Sequence, residues 1–155
     1  MRTGIGYDIH RLTSGRPLVL GGVEIPYEKG LQGHSDADVL VHAVCDALLG
    51  AAAMGDIGRH FPDTDKAWEG VSSLLLLAET WRMASRKFHA VVNVDATIFA
   101  QKPRLMPYVD EMAEKLAHCL EIETGRVNIK ATTTEGLGII GQSEAIAAMC
   151  VALLE

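Results

Sequence analysis

Apolar side chains return at helical spacing at Val41, Val44, Leu48 and Leu49. Ser35 or Asp36 can cap the start of that segment and Gly55 can stop it, which predicts a helix ending near Met54. A second helix is predicted from about Ser72 to Arg86, capped by Ser72 or Ser73. Its basic residues Arg82, Arg86 and Lys87 sit at the C-terminal end, where they complement the helix dipole. Pro107 suits the first turn of a third helix, which carries Val109, Met112, Leu116 and Leu120 on one face. Other segments follow a period of two or are rich in β-branched residues. Thr3–Asp8 reads as a short strand, His89–Ala100 as a long one and Arg126–Thr133 as a third. Pro17–Leu20 and Val23–Ile25 flank Gly21–Gly22 as a two-residue hairpin. Glu144–Leu154 is ambiguous: its alanines suit a helix, while Ile146, Val151 and the flanking glycines allow a strand. Interleaved strands and helices indicate an α/β or α+β sandwich.

A chain of 155 residues is the size of one domain and has enough core to fold without a disulfide or structural metal. The net charge of −6, from 14 basic and 20 acidic residues, argues against general nucleic-acid binding. The 5% aromatic content adds to that, since few rings are present to stack on bases. A few local donors or a metal could still hold a phosphorylated small molecule. No apolar run approaches the roughly 18 residues of a membrane span. Met1–Gly6 lacks the apolar core of a signal peptide. The three cysteines, Cys45, Cys119 and Cys150, form no CxxC and read as reduced thiols, so a cytoplasmic location is expected.

Polar residues with chemistry collect in a few places. In Tyr7–His10, Asp8 and His10 are two apart on a strand, so a carboxylate and an imidazole point the same way at its end. Taken alone, that spacing is a weak signal and also fits a capping aspartate beside an incidental histidine. Asp38, His42 and Asp46 lie four apart on one helix face. Such carboxylates can orient a metal-bound imidazole through its spare N–H, or simply hold a protonated histidine. Together, Asp8, His10 and His42 form two imidazoles and one carboxylate, the ligand set of a catalytic zinc that keeps a fourth position for substrate or water. His34 and Ser35 precede the helix start, where free backbone N–H groups favour anions. Gly55–Asp65 is a polar loop that fits a phosphate or sugar binder or an ordinary surface turn. Thr132, Thr133 and Thr134 followed by Glu135 could contact phosphates and hold a hard cation such as Mg²⁺.

These motifs, taken in order, resemble the 2-C-methyl-D-erythritol 2,4-cyclodiphosphate synthases of the non-mevalonate isoprenoid pathway. The resemblance runs through GYDIH at 6–10, GGVEIPYEKG at 21–30, HSDAD at 34–38 and DALLGAA at 46–52. It continues through GDIGRHFPDTD at 55–65, NVDATI at 93–98, AQKP at 100–103 and VNIKATTTE at 127–135. It covers essentially the whole chain.

The resemblance implies an enzyme, a cyclising phosphorus–oxygen lyase. The 2-phosphate of a CDP-linked erythritol attacks the β-phosphorus of its own diphosphate and releases CMP. By matching position, Asp8, His10 and His42 are expected to bind Zn²⁺ or another divalent transition metal, and Glu135 to help hold Mg²⁺ or Mn²⁺ between the α- and β-phosphates. His34 and Thr133 are expected to polarise phosphates in the transition state. Ser35, Asp56, Ile57 and Gly58 would line the erythritol and phosphate pocket, with Phe61, Pro62, Asp63, Thr64 and Asp65 beside it. Ala100, Gln101, Lys102, Pro103, Arg104, Leu105 and Met106 would form the cytidine pocket with Ala131, Thr132, Thr133 and Thr134.

The implied fold is a single-domain α+β sandwich over 1–155, a mixed sheet with helices on one face. The implied assembly is a homotrimer with its sites between subunits, and no nucleic-acid or membrane partner. In that fold Glu144–Leu154 is a strand. One departure stands out. Many members of the family carry an aromatic and a basic residue near Gly138–Glu144, where this chain has Ile139 and Gln142. The basic residue lines a central cavity of the trimer, proposed to bind isoprenoid diphosphates, and a neutral amide has no charge to pair there. A zinc-dependent phosphohydrolase, with Asp56 as general base, is the alternative reading.

Overall fold

Strand β1 runs from Arg2 to Ser14 in a computed structural model that describes residues 1–155. It is more than twice as long as its apolar pattern suggests, because Asp8, His10 and Arg11 interrupt that pattern. Its pairing is continuous: Arg2–Arg11 pair antiparallel with β7 (Ala145–Leu154), and Leu12–Ser14 with the short β4 (Lys29–Leu31). Asp8 and His10 therefore stand well inside a strand rather than at its end. Strand β5 (Val91–Phe99) pairs antiparallel with β7 on its other side, and parallel with β6 (Val127–Thr132). The five-stranded mixed sheet has the order β4-β1-β7-β5-β6. Strands β2 (Leu18–Leu20) and β3 (Val23–Ile25) make the expected hairpin. Both turn residues have positive φ, 58° at Gly21 and 72° at Gly22, the conformation that favours glycine.

Helix α1 (Val39–Ala51) begins later than the sequence pattern predicts. Its cap is Asp38, whose Oδ1 accepts the N–H groups of Val41 (3.1 Å) and Gly21 (2.9 Å) while Oδ2 accepts that of Gly22 (2.7 Å). One buried carboxylate thus closes the helix end and pins the β2–β3 turn to it. Apart from His42, Asp46 and Gly50, every α1 residue is buried. One side of α1 rests on β1 and β7, and the other meets α3 (Ser73–Ala84). The seat is unusually close. A Cβ built on Gly4 would stand 1.9 Å from the carbonyl oxygen of Ala47, and one on Gly6 equally near that of Ala43. Only glycine lets the helix backbone lie this close to the strand.

Helix α4 (Val109–Leu120) covers β6 and touches α3, with Met112, Leu116 and Leu120 fully buried. Pro107 lies in a 3₁₀ turn just before it. Two single-turn helices, α2 (Ile57–His60) and α5 (Gly138–Gly141), complete the set. The sheet face away from α1 remains open and apolar: Ile5 is 65% exposed, Tyr7 51% and Val151 42%, with Ile9 and Met149 beside them. The chain is an α+β fold, a mixed sheet with its helices packed on one side.

Candidate metal and substrate site

Gly6 seats α1, and this places His42 above the pair Asp8 and His10 on β1. The Oδ2 of Asp8 is 3.0 Å from the Nε2 of His10 and 3.0 Å from the Nδ1 of His42, and the two nitrogens are 3.3 Å apart. Two bonds of 2.0–2.1 Å meeting at a tetrahedral zinc place their donor atoms about 3.3 Å apart. The triangle matches one face of such a tetrahedron, so the three side chains fit a divalent ion, and all three line one cleft. The other His10 nitrogen supports this. Its Nδ1 donates to the Gln32 carbonyl at 2.6 Å, which leaves Nε2 as the free donor atom.

Electrostatics in the triangle follow from its crowding. Burial pushes the Asp8 carboxyl up, but hydrogen bonds and charge from His10 and His42 outweigh this and hold it well below the usual carboxylate range. Donating a hydrogen bond to Asp8 raises His10 above its ordinary value, against the opposing effect of burial.

Neither carboxylate expected to orient His42 reaches it. Asp38 is committed to the α1 cap, and its carboxyl is pushed up to about 6 by complete burial. The Oδ1 of Asp46 accepts the Ile57 N–H at 2.7 Å, holding α2 against α1; its carboxyl is also raised by burial. The Nε2 of His42 turns instead to two hydroxyls, Ser73 Oγ at 3.0 Å and Ser35 Oγ at 3.2 Å. Ser73 in turn bonds Asp36.

The triad opens into a cleft of about 350 Å³. Of the residues singled out from the sequence, His34, Ser35, Ile57, Phe61 and Asp63 line it as well. Asp46, expected beside His42, lines it too, and so do Gly33, Trp68 and Leu76, which the sequence did not single out. Asp56, Gly58, Pro62, Thr64 and Asp65 do not. Asp56 caps α2 through the Arg59 N–H (2.9 Å) and Asp65 caps a 3₁₀ turn through the Ala67 N–H (2.9 Å). The Nε2 of His34 is 3.3 Å from the Asp65 carbonyl. Arg16 secures the loop carrying His34, donating to the carbonyls of Gly33 (3.0 Å) and Ser35 (2.9 Å).

A second cleft of about 670 Å³ is lined by Ala100–Met106 and Ala131–Thr133, joined by Tyr27, which the sequence reading left out. Thr134 and Glu135 lie beyond its lining. Glu135 holds a left-handed φ of 54°, and its Oε1 accepts from the Thr133 hydroxyl at 2.9 Å. The two clefts share no residue. Register gives their separation: Ile9 pairs with Ala147, Ala147 with Phe99, and Phe99 with Thr132. Three strand spacings amount to about 14 Å. A small third cleft of about 160 Å³ includes Ile9, Arg11, Ile139 and Glu144, but Gln142 is outside its lining. No helix is long and apolar enough to cross a membrane.

Comparison with other proteins agrees along the whole length. The sequence profile of the YgbB family matches residues 1–155. A 2-C-methyl-D-erythritol 2,4-cyclodiphosphate synthase of Desulfatibacillum aliphaticivorans is 60% identical over 155 residues, all of both chains. One from Desulfosudis oleivorans is 64% identical over 154 residues, covering 99% of this chain and 92% of that one. Among solved structures, a 2C-methyl-D-erythritol-2,4-cyclodiphosphate synthase in its CDP-bound form superposes with a TM-score of 0.90 at 36% identity, covering 99% of this chain and 100% of the other. With profile, relatives and fold all matched from end to end, the chain belongs to the YgbB family, that of the 2-C-methyl-D-erythritol 2,4-cyclodiphosphate synthases.

Proposed function

We propose that the chain cyclises 4-diphosphocytidyl-2-C-methyl-D-erythritol 2-phosphate to 2-C-methyl-D-erythritol 2,4-cyclodiphosphate and releases CMP. The observation that carries this reading is the Asp8–His10–His42 donor triangle, in a chain 60% identical along its whole length to a synthase of that name. The nucleophile is already an anion, the substrate's own 2-phosphate, so no activated serine or cysteine is required. The chain's task is to hold two phosphates in line against their mutual repulsion.

Asp8, His10 and His42 would hold zinc or another divalent transition metal, and Glu135 would hold magnesium or manganese. When bound, these ions supply positive charge and Lewis acidity at the phosphates. His34, at the rim of the metal cleft, and Thr133, beside Glu135, would donate to phosphate oxygens as charge builds up. Ser35, Ile57, Phe61 and Asp63 would orient the erythritol. Ala100–Met106 and Ala131–Thr133 would enclose the cytidine in the larger cleft, whose volume suits a nucleoside.

In this reading the protein assembles as a homotrimer, and the metal cleft of one subunit meets the Thr132–Glu135 segment of the next. Two observations support this: the separation of the two clefts within one chain, and the open apolar face of Ile5, Tyr7, Ile9, Met149 and Val151. Three free thiols suit a reducing, cytoplasmic compartment. The phosphohydrolase alternative gains no support, since the close relatives carry the synthase name and Asp56 is committed to a helix cap.

The test is product identity. Purified protein with zinc and magnesium should turn the CDP-linked 2-phosphate into equimolar CMP and a cyclic diphosphate with two coupled ³¹P resonances. Release of inorganic phosphate instead would reject cyclisation.

A further inference from the structure

An imidazole that ligates through Nδ1 must carry its proton on Nε2, and that N–H needs an acceptor. Here the Nε2 of His42 faces Ser73 Oγ at 3.0 Å. Ser73 is fully buried, at the first turn of α3, and lies thirty-one residues from His42 in sequence. Its hydroxyl has one proton to give. Asp36 draws that proton: its Oδ1 takes the Ser73 hydroxyl, while its Oδ2 takes the Ser73 backbone N–H at 2.9 Å. A carboxylate can only accept, so Ser73 donates to Asp36 and has its lone pairs left for His42. In the opposite tautomer the lone pairs of Nε2 and Ser73 Oγ would face each other at 3.0 Å. Ser35 Oγ, 3.2 Å from Nε2 and 3.4 Å from Ser73 Oγ, completes the cluster, and itself accepts the Ala37 N–H at 3.1 Å.

We propose that Asp36 and Ser73 are positioning residues that act through His42. They form a one-way chain of hydrogen bonds, from His42 to Ser73 to Asp36, that holds the imidazole with its proton on Nε2 and its Nδ1 free for a divalent cation. Asp36 has a second task. Ser72, the residue at the N-cap of α3, makes no side-chain capping bond, and Asp36 covers the free Ser73 N–H in its place. The same carboxylate therefore joins the helix α3 start to the metal ligand. The inference rests on the metal site described above and adds the residues that set its donor atom.

Two variants separate the relay from mere packing. Ser73→Ala removes the nearer acceptor, leaving only Ser35 Oγ at 3.2 Å, and keeps its backbone N–H on Asp36. Asp36→Asn, by keeping its oxygen on that N–H, turns its NH₂ toward Ser73 and pushes the serine to donate toward His42, reversing the chain. Zinc affinity is read by competition with a chromophoric chelator. Exchange of the His42 Nε2–H with water is read by NMR in the zinc-loaded protein. Both variants should bind zinc about 10–100-fold more weakly than wild type. In Ser73→Ala the His42 ring proton should exchange at least about tenfold faster, with the unfolding transition still cooperative. Folded variants whose zinc affinity equals that of wild type overturn the relay. So does weakened affinity with an equally protected ring proton, which would assign the loss to packing. If Asp36→Asn does not fold, Ser73→Ala decides alone. Wild-type protein that takes up no zinc rejects the metal site and the relay with it. Zinc uptake by wild type and both variants alike rejects the relay only.

Discussion

The Nε2 of His10 and the Nδ1 of His42 stand 3.3 Å apart, each 3.0 Å from the same oxygen of Asp8, with one ring carried by β1 and the other by α1. Removing one corner should abolish tight metal binding while sparing the fold, because a core of this size does not depend on an ion. His42→Ala is expected to lose zinc on gel filtration and keep a cooperative unfolding transition. Full zinc stoichiometry by elemental analysis would overturn the ligand assignment.

Protons compete with metal at the same atoms, and the direction can be worked out. In the metal-free protein His10 is raised above its ordinary value, so its pairing with Asp8 stabilises fully at low pH and is lost as pH rises through the raised value. The depressed Asp8 contributes above its ordinary carboxylate value and loses that contribution only in strong acid. Zinc needs His10 without its proton. The rise in melting temperature on adding zinc should therefore be larger at about pH 8 than at about pH 6. A rise that does not change with pH would remove His10 from the ligand set.

Asp38 gives a contrasting case. Its carboxylate accepts three backbone N–H groups and makes no hydrogen bond to Asp8, His10 or His42. Asp38→Asn loses at least one of those bonds in a fully buried place, a loss of about 1–3 kcal/mol. Denaturant unfolding should show this drop, while zinc affinity moves less than in Ser73→Ala. A large affinity loss without a stability loss would return Asp38 to the role of orienting His42.

The seat of α1 can be tested at Gly6. An alanine there puts its Cβ 1.9 Å from a backbone oxygen, and neither backbone can shift without moving a whole element. Gly6→Ala should destabilise by about 3 kcal/mol or more and weaken zinc binding, since His42 is lifted from Asp8. Gly125→Ala, with nothing within 4 Å of its Cβ, should stay within about 0.5 kcal/mol of wild type. Equal effects at the two positions would show that α1 is free to adjust.

The shared-site reading makes a prediction that no single-chain site can satisfy. Asp8→Ala and Glu135→Ala homotrimers should each be nearly inactive. Unfolded together and refolded, a trimer holding both chain types has one interface with both halves intact. Activity, measured as CMP release, should rise toward one working site in three. No recovery in mixed trimers verified by native mass spectrometry would reject a site between subunits.

What could be read in the sequence depended on range. Asp8 and His10 are two apart and His42 shares a helix face with Asp38 and Asp46, so the candidate triad was legible before any fold. The relay was not. Ser73 looked like a helix cap, and only the packing of α3 against α1 brings its hydroxyl to His42. Ser35 and Asp36 were plausible caps for α1 for the same chemical reason that they now serve His42 and Ser73: short side chains with free acceptors. The length of β1 was hidden because Asp8, His10 and Arg11 interrupt its apolar pattern. Glu144–Leu154 could not be settled by periodicity. Ala145–Ala148 are buried on both faces between β1 and β5, so no alternation is visible there, and only the family resemblance made it a strand.

Strands β5 and β6 form the sole parallel pair in an otherwise antiparallel sheet. Parallel neighbours end on the same edge, so the segments that leave them, Ala100–Met106 after β5 and Thr133–Glu135 after β6, emerge side by side and diverge. The larger cleft lies at that divergence, as ligand crevices do at the carboxyl ends of strands in open α/β sheets. Such a cleft is built of loops on a rigid ladder. In the proposed reading, its preference for one base over another can therefore drift through exchanges in the 100–106 segment, while the hydrogen bonds of β5 and β6, and Asp8 and His10 two strands away on β1, stay untouched.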